Sequence, residues 1–205
     1  GEKIRALTSG FLHVDWMHLG FNMYALYAFG TPLEQRWGKK KFLFFYISAG
    51  LGAALIHTAV NYFQFNQGLD AILSTGISKE EVFSIISEGK YMPDWGNVMS
   101  QSKLDNFLGA YNTPAVGASG AIYGILVAFG MMFPNTELML IFLPVPIKAK
   151  IFIPVLIGLD LFSGFTGYSL FGGGIAHFAH VGGALFGFLM MWYWKKNEFN
   201  KNRWD

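Results

Sequence analysis

The stretch VGASGAIYG, residues 116–124, sets a serine among small residues at the opening of a run that stays apolar to Phe133. A serine in apolar surroundings is ordinarily structural, its hydroxyl bonded back to a carbonyl one turn earlier. Here, however, Gly120 and Gly124 follow at a spacing of four, which puts both on one helix face and lets a second backbone come close. The stretch therefore predicts a helix whose first turn carries Ser119 beside a backbone-to-backbone contact.

The partner for that contact is AHVGGALFG, residues 179–187, where Gly183 and Gly187 repeat the spacing. Two histidines stand nearby. At 100° per residue His180 lies about 60° from Gly183 and about 20° from Gly187, against about 120° and 80° for His177. His180 thus faces the seam, and His177 reads as a packing residue. If the two seams meet, an imidazole and a hydroxyl come together in a low-dielectric interior, the minimum apparatus for a serine nucleophile.

Composition sets that interior in a bilayer. Of the 205 residues, 53% are hydrophobic and 14% charged, too apolar for an ordinary soluble domain. Runs at about 17–35, 42–63, 115–133, 149–165 and 175–194 are long enough, or nearly so, to cross a hydrocarbon layer of roughly 30 Å, the fourth being the shortest. Gly1 to Gly10 lacks the apolar core of a signal peptide, and the missing initiator Met points to a trimmed fragment. With no cysteine, disulfides and thiolate metal sites are excluded.

Lysine and arginine give the orientation. Arg36, Lys39–Lys41, Lys148, Lys150, Lys195, Lys196, Lys201 and Arg203 all fall on one side if the first segment ends in the cytoplasm. The 64–113 loop then lies outside, where acidic residues outnumber lysines. Every connection obeys the positive-inside rule, so the basic balance reflects membrane orientation and not nucleic-acid binding.

Along the chain, His18 and Asn22 stand i and i+4 on the first helix, both able to donate hydrogen bonds, with Trp16 and Trp37 near its ends. Gly50, Gly52, Ala53 and Ala54 make the second segment suited to close packing. In the loop, Ser78 and Glu81 have capping-box spacing and predict a short helix near 79–89; a second is expected from Asn97 to Leu108. The connection PNTELMLIFLPVPIKAK is proline-punctuated and basic. No repeat or low-complexity tract is present, and one membrane domain, 1–205 with a cytoplasmic tail from 195, accounts for the chain.

HLGFN, GASGAIYG and AHVGGALFG, in that order, resemble the three signature stretches of the rhomboid family of intramembrane serine proteases. The resemblance implies an all-α, polytopic helical bundle of six spanning helices, five of them present, the one expected before residue 1 being missing with most of the first outer loop. It also implies a serine endopeptidase acting on transmembrane protein substrates in lipid, without metal or other cofactor. Carried over, Ser119 resembles the nucleophile and His180 its general base, while His18, Asn22 and the Ser119 amide resemble the oxyanion hole. Gly117 matches the glycine of GxSG, Tyr123 resembles the ring that stacks on the catalytic imidazole, and Gly120, Gly183 and Gly187 support the site. FPN (133–135) and LFSGF (161–165) resemble bacterial members, so the expected location is the bacterial cytoplasmic (inner) membrane, with the active site toward the outer face.

No third carboxylate is needed. Asp15 and Asp160 are available, yet neither spacing places it against His180, and Asp160 reads as a partner for polar groups in the bundle. Two other classes compete: an inactive rhomboid-like protein that holds membrane clients, disfavoured because Ser119 and His180 are both present, and a small transporter, disfavoured because the polar residues cluster at one end of the helices. The sequence leaves the oligomeric state open.

Overall fold

Gly38 separates the first two segments. Its φ of +78° lies in the left-handed region that favours glycine, and its amide closes the preceding helix on the Glu34 carbonyl at 2.8 Å. In the computed structural model, residues 16–112, 118–140, 143–166 and 176–197 are described. Asp15 and Gly117 lie outside them.

Helix α1 (Trp16–Ala25) runs through a π-helical turn (Leu26–Gly30) into α2 (Thr31–Trp37), with Pro32, which has no amide to donate, directly after the turn. Helix α3 (Lys39–Leu73) follows, and beyond it lie α4 (Lys79–Ser87), α5 (Trp95–Val98) and α6 (Gln101–Asn112). Helix α7 (Ser119–Met132) leads into a hairpin of β1 (Glu137–Leu140) and β2 (Leu143–Lys148), then α8 (Ala149–Thr166) and α9 (His177–Lys196). The molecule is mostly helical, and helical pieces cover all five apolar runs. Among the described helices, α3 and α8 are long and apolar enough to cross a membrane, and α7 is a shorter apolar helix.

Helices α3, α7 and α9 form the centre, and glycines set how close they come. A Cβ placed on Gly183 would lie 1.8 Å from the Gly120 carbonyl oxygen, and one on Gly187 would lie 2.7 Å from the Gly124 Cα. The same two glycines of α7 also meet α3, Gly120 against Ala53 and Gly124 against Ala49. The two glycine seams therefore touch, as their spacing predicts. Phe45, Ile122, Ile125, Ala128, Phe129 and Ile153 fill the interior below them.

The outward faces stay apolar. Leu43, Ile47, Leu51 and Leu55 form a stripe at a spacing of four on α3, and Ile151, Val155 and Phe162 of α8 and Leu185, Phe188 and Trp192 of α9 are likewise exposed. Such surfaces belong against lipid tails. At the lysine-bearing end, Trp37 meets Trp194 edge-to-face at 5.4 Å, and the Lys41 ammonium lies 4.5 Å from the Trp194 ring centre.

Two expectations need correction. Helix α3 continues to Leu73 instead of ending near residue 63. At 1.5 Å per residue its 35 residues reach about 52 Å, so its last turns project past a 30 Å layer. There Leu69 and Ile72 join Val82, Ile86, Trp95, Met99, Leu104 and Phe107 in a second buried cluster, which keeps the extra turns helical. The expected short helix forms over Lys79–Ser87, capped by Ser78 Oγ accepting from the Glu81 amide at 3.2 Å, one half of a capping box. The helix expected over 97–108 is broken: Met99 is extended and buried, so α5 stops and α6 starts after it.

The fold is also not purely α-helical. Glu137 pairs with Lys148 and Leu138 with Ile147 in the antiparallel hairpin. Pro144 and Pro146 forbid a helix there, and a hairpin at the edge of a bundle tolerates prolines that lack an amide to donate.

Candidate active site

The seam determines what stands at its open end. Ser119 is the first residue of α7, so its amide is one of the first-turn donors with no acceptor inside the helix. His180 lies in the first turn of α9, one turn before Gly183. With the two helices in backbone contact, Ser119 Oγ and His180 Nε2 are 2.9 Å apart. His180 is 9% exposed, so this hydrogen bond is shielded from bulk water.

Tyr123 follows Ser119 by four residues and lies flat on the imidazole, with ring centres 4.2 Å apart and planes inclined by 9°. Its hydroxyl donates to Asp160 Oδ2. The other oxygen of that carboxylate lies 3.2 Å from His180 Nδ1 and 2.6 Å from His177 Nδ1. The expectation that Asp160 would not meet His180 is therefore corrected. Spacing along α8 reports only which residues of α8 share a face; the meeting of α8 with α9 is a matter of packing between helices.

Asp160 takes three donors: two imidazole N–H groups and one phenol. An ionised carboxylate only accepts, so the bond to Asp160 puts the His180 proton on Nδ1 and leaves the Nε2 lone pair facing the Ser119 hydroxyl. The arrangement can move a proton from Ser119 to His180 while a buried anion balances the charge that forms.

Asn22 is 6% exposed, and its Nδ2 is a buried donor with no partner among the described residues. It sits on α1, which packs against α7. His18 lies one turn earlier and is half-buried. Among the described residues the buried polar side chains are Asn22, Asp160, Ser163 and His180, three of which belong to this constellation or its approach. Sequence reasoning missed the part played by Asp160 and His177. The available signal was the cost of a carboxylate inside an apolar segment, which demands partners and marks it as more than packing.

The rhomboid domain family matches residues 1–86 and 96–197. The chain belongs to the rhomboid family. Among its relatives are Rhomboid protein 1, mitochondrial, of Saccharomyces cerevisiae, 26% identical over 95% of this chain and 43% of that protein. Presenilin-associated rhomboid-like protein, mitochondrial, of Rattus norvegicus is 29% identical over 94% of this chain and 40% of its own length. RHOMBOID-like protein 12, mitochondrial, of Arabidopsis thaliana is 28% identical over 90% of this chain and 44% of its own. This rhomboid thus spans less than half the length of these curated relatives. No solved structure matches it significantly.

These names overturn the expected bacterial cytoplasmic membrane, because the three relatives named here are mitochondrial proteins. The bacterial expectation rested on FPN and LFSGF, stretches of three and five residues that do not mark an organism or organelle, and apolar runs and lysine placement report only a bilayer and a direction of insertion.

Proposed function

We propose that this rhomboid is an intramembrane serine protease that hydrolyses peptide bonds in or near the transmembrane segments of membrane-protein substrates. The observation that carries the reading is the 2.9 Å approach of Ser119 Oγ to His180 Nε2 inside an apolar bundle. We read the chain as one membrane domain over 1–205, with five spanning segments built from α1–α2, α3, α7, α8 and α9. The shared compartment of its relatives favours a mitochondrial membrane.

In the first step Ser119 Oγ bonds to the scissile carbonyl carbon, the carbonyl electron pair moves onto oxygen, and His180 Nε2 takes the hydroxyl proton. Collapse of that intermediate breaks the C–N bond, and His180 returns the proton to the departing amine. Water then repeats the sequence on the acyl-enzyme. Asp160 holds the imidazole in the useful tautomer and balances the imidazolium, and the Tyr123 ring fixes its plane.

The negative oxygen needs donors already in place. The unpartnered amide of Asn22 supports its role as one of them, with His18 and the Ser119 amide as the others. Asn22→Ala should lower kcat about 100- to 1,000-fold with a smaller change in KM; an effect confined to KM would make Asn22 a substrate-binding residue.

Asp160→Asn keeps the volume but replaces the anion with a group that can force the wrong histidine tautomer. Turnover is expected to fall about 100- to 10,000-fold. Tenfold or less would return Asp160 to a packing role. The direct test of the proposal is a serine-directed fluorophosphonate in detergent micelles: the protein should be labelled and Ser119→Ala should not. Labelling of both would place the reactive serine elsewhere.

A further inference from the structure

His177 plays no part in the proposed proton transfers, yet it points Nδ1 at the same Asp160 oxygen as His180. We propose that Asp160, His177 and His180 bind a divalent cation of the zinc class, and that its occupancy switches the protease off. Metal chemistry was not expected in this chain, and the inhibitory half of this inference rests on the protease reading.

The donor set suits such an ion. Two imidazole nitrogens and one carboxylate oxygen are standard ligands for zinc, and three protein ligands leave a fourth position for water. Metal–ligand distances of about 2.0–2.1 Å require donors roughly 3.3 Å apart in a tetrahedral site. The three ligand atoms lie within 4.8 Å of one another, with Asp160 Oδ1 at 2.6 Å from His177 Nδ1 and 3.2 Å from His180 Nδ1. Reaching that spacing opens the His177 contact to Asp160 by about 0.7 Å and leaves the His180 contact almost unchanged. Tyr123 already holds the other carboxylate oxygen, the kind of outer support that orients a metal ligand.

The consequence for catalysis follows from counting protons. In the arrangement described, each imidazole carries its proton on Nδ1 and donates it to Asp160. A cation takes the Nδ1 lone pair of each ring, and each displaced proton moves to Nε2 of the same ring, so no electron transfer or co-reactant is involved. His180 Nε2–H then faces Ser119 Oγ. A nitrogen that already holds a proton cannot take the serine's, and the nucleophile is left unactivated.

The test uses the full chain in detergent micelles. Ser119→Ala, which keeps all three ligands, is titrated calorimetrically with zinc chloride and, separately, followed by visible absorption with cobalt(II). One ion per chain should bind, with cobalt bands typical of four- or five-coordination. His177→Gln retains a hydrogen-bonding arm toward Asp160 but lacks the ring nitrogen. Adding it to Ser119→Ala should weaken binding by at least about 100-fold, more than loss of an outer support alone. In the active protein, turnover should fall as the site fills and return with a chelator, and His177→Gln alone should need about 100-fold more zinc for the same inhibition. Absence of saturable binding by Ser119→Ala would overturn the site, and equal zinc sensitivity of the wild type and His177→Gln would overturn its link to activity. A wild type inactive without any added zinc would count against the protease reading, while the titration alone would then uphold or sink the site.

Discussion

Ser119→Ala and His180→Ala are each expected to lose on the order of a million-fold in kcat, the scale on which removal of either member of such a pair acts in soluble serine proteases. Neither change should unfold the protein. Ser119→Ala gives up one hydrogen bond, a net loss of about 0.5–1.5 kcal/mol, and opens no sizeable cavity. The double variant should be no slower than the worse single variant, because the two groups perform one proton transfer between them. His177→Ala is the comparison within the same turn of α9, and it should keep measurable activity since Asp160 still reaches His180. The measurement is cleavage of a transmembrane model substrate in micelles, with melting temperature and elution volume recorded for each variant. Turnover within tenfold of wild type for Ser119→Ala would remove the serine from the chemistry.

Gly183→Ala is expected to have the largest effect on stability. The added methyl carbon would stand 1.8 Å from a backbone oxygen of α7, and a backbone cannot rotate away as a side chain can. The helices would have to separate by more than an ångström along their whole contact, costing more than the roughly 1–3 kcal/mol of ordinary overpacking. Because Ser119 and His180 sit on the two separated helices, fluorophosphonate labelling should fall together with the melting temperature. Gly187→Ala, with its nearest contact at 2.7 Å, should follow the same course less severely. Gly158 on α8 has open space where a Cβ would go, and Gly158→Ala should leave stability within about 0.5 kcal/mol. A Gly183→Ala protein with unchanged melting and labelling would contradict the close approach of α7 and α9.

Why these two helices meet was legible in the sequence, because small residues at a spacing of four carry both a direction and a distance. His180 could be separated from His177 by the same angular argument. What the residues could not reveal were contacts set by the angle between helices. Asp160 stands in its own segment with no periodic partner, and only the packing of α8 on α9 brings it to two histidines at once. The hairpin escaped notice because its prolines mark an irregular connection as readily as an edge strand. The overrun of α3 to Leu73 was hidden for another reason: residues 64–73 are less apolar than the span, and their helix is held by the cluster around Trp95 and Phe107, not by lipid.

That overrun gives the molecule two interiors with different solvents. On the membrane reading the projecting turns of α3 stand outside the hydrocarbon layer, so their cluster is held by the tendency of apolar surface to leave water, which weakens on cooling. The interior around Ile125 and Phe129 borders lipid tails, where no such drive exists and close packing does the holding. Cold should therefore loosen the projecting turns first, while detergents that pack poorly should loosen the embedded helices first. The junction between the two lies inside one unbroken helix, where the solvent changes and the backbone does not.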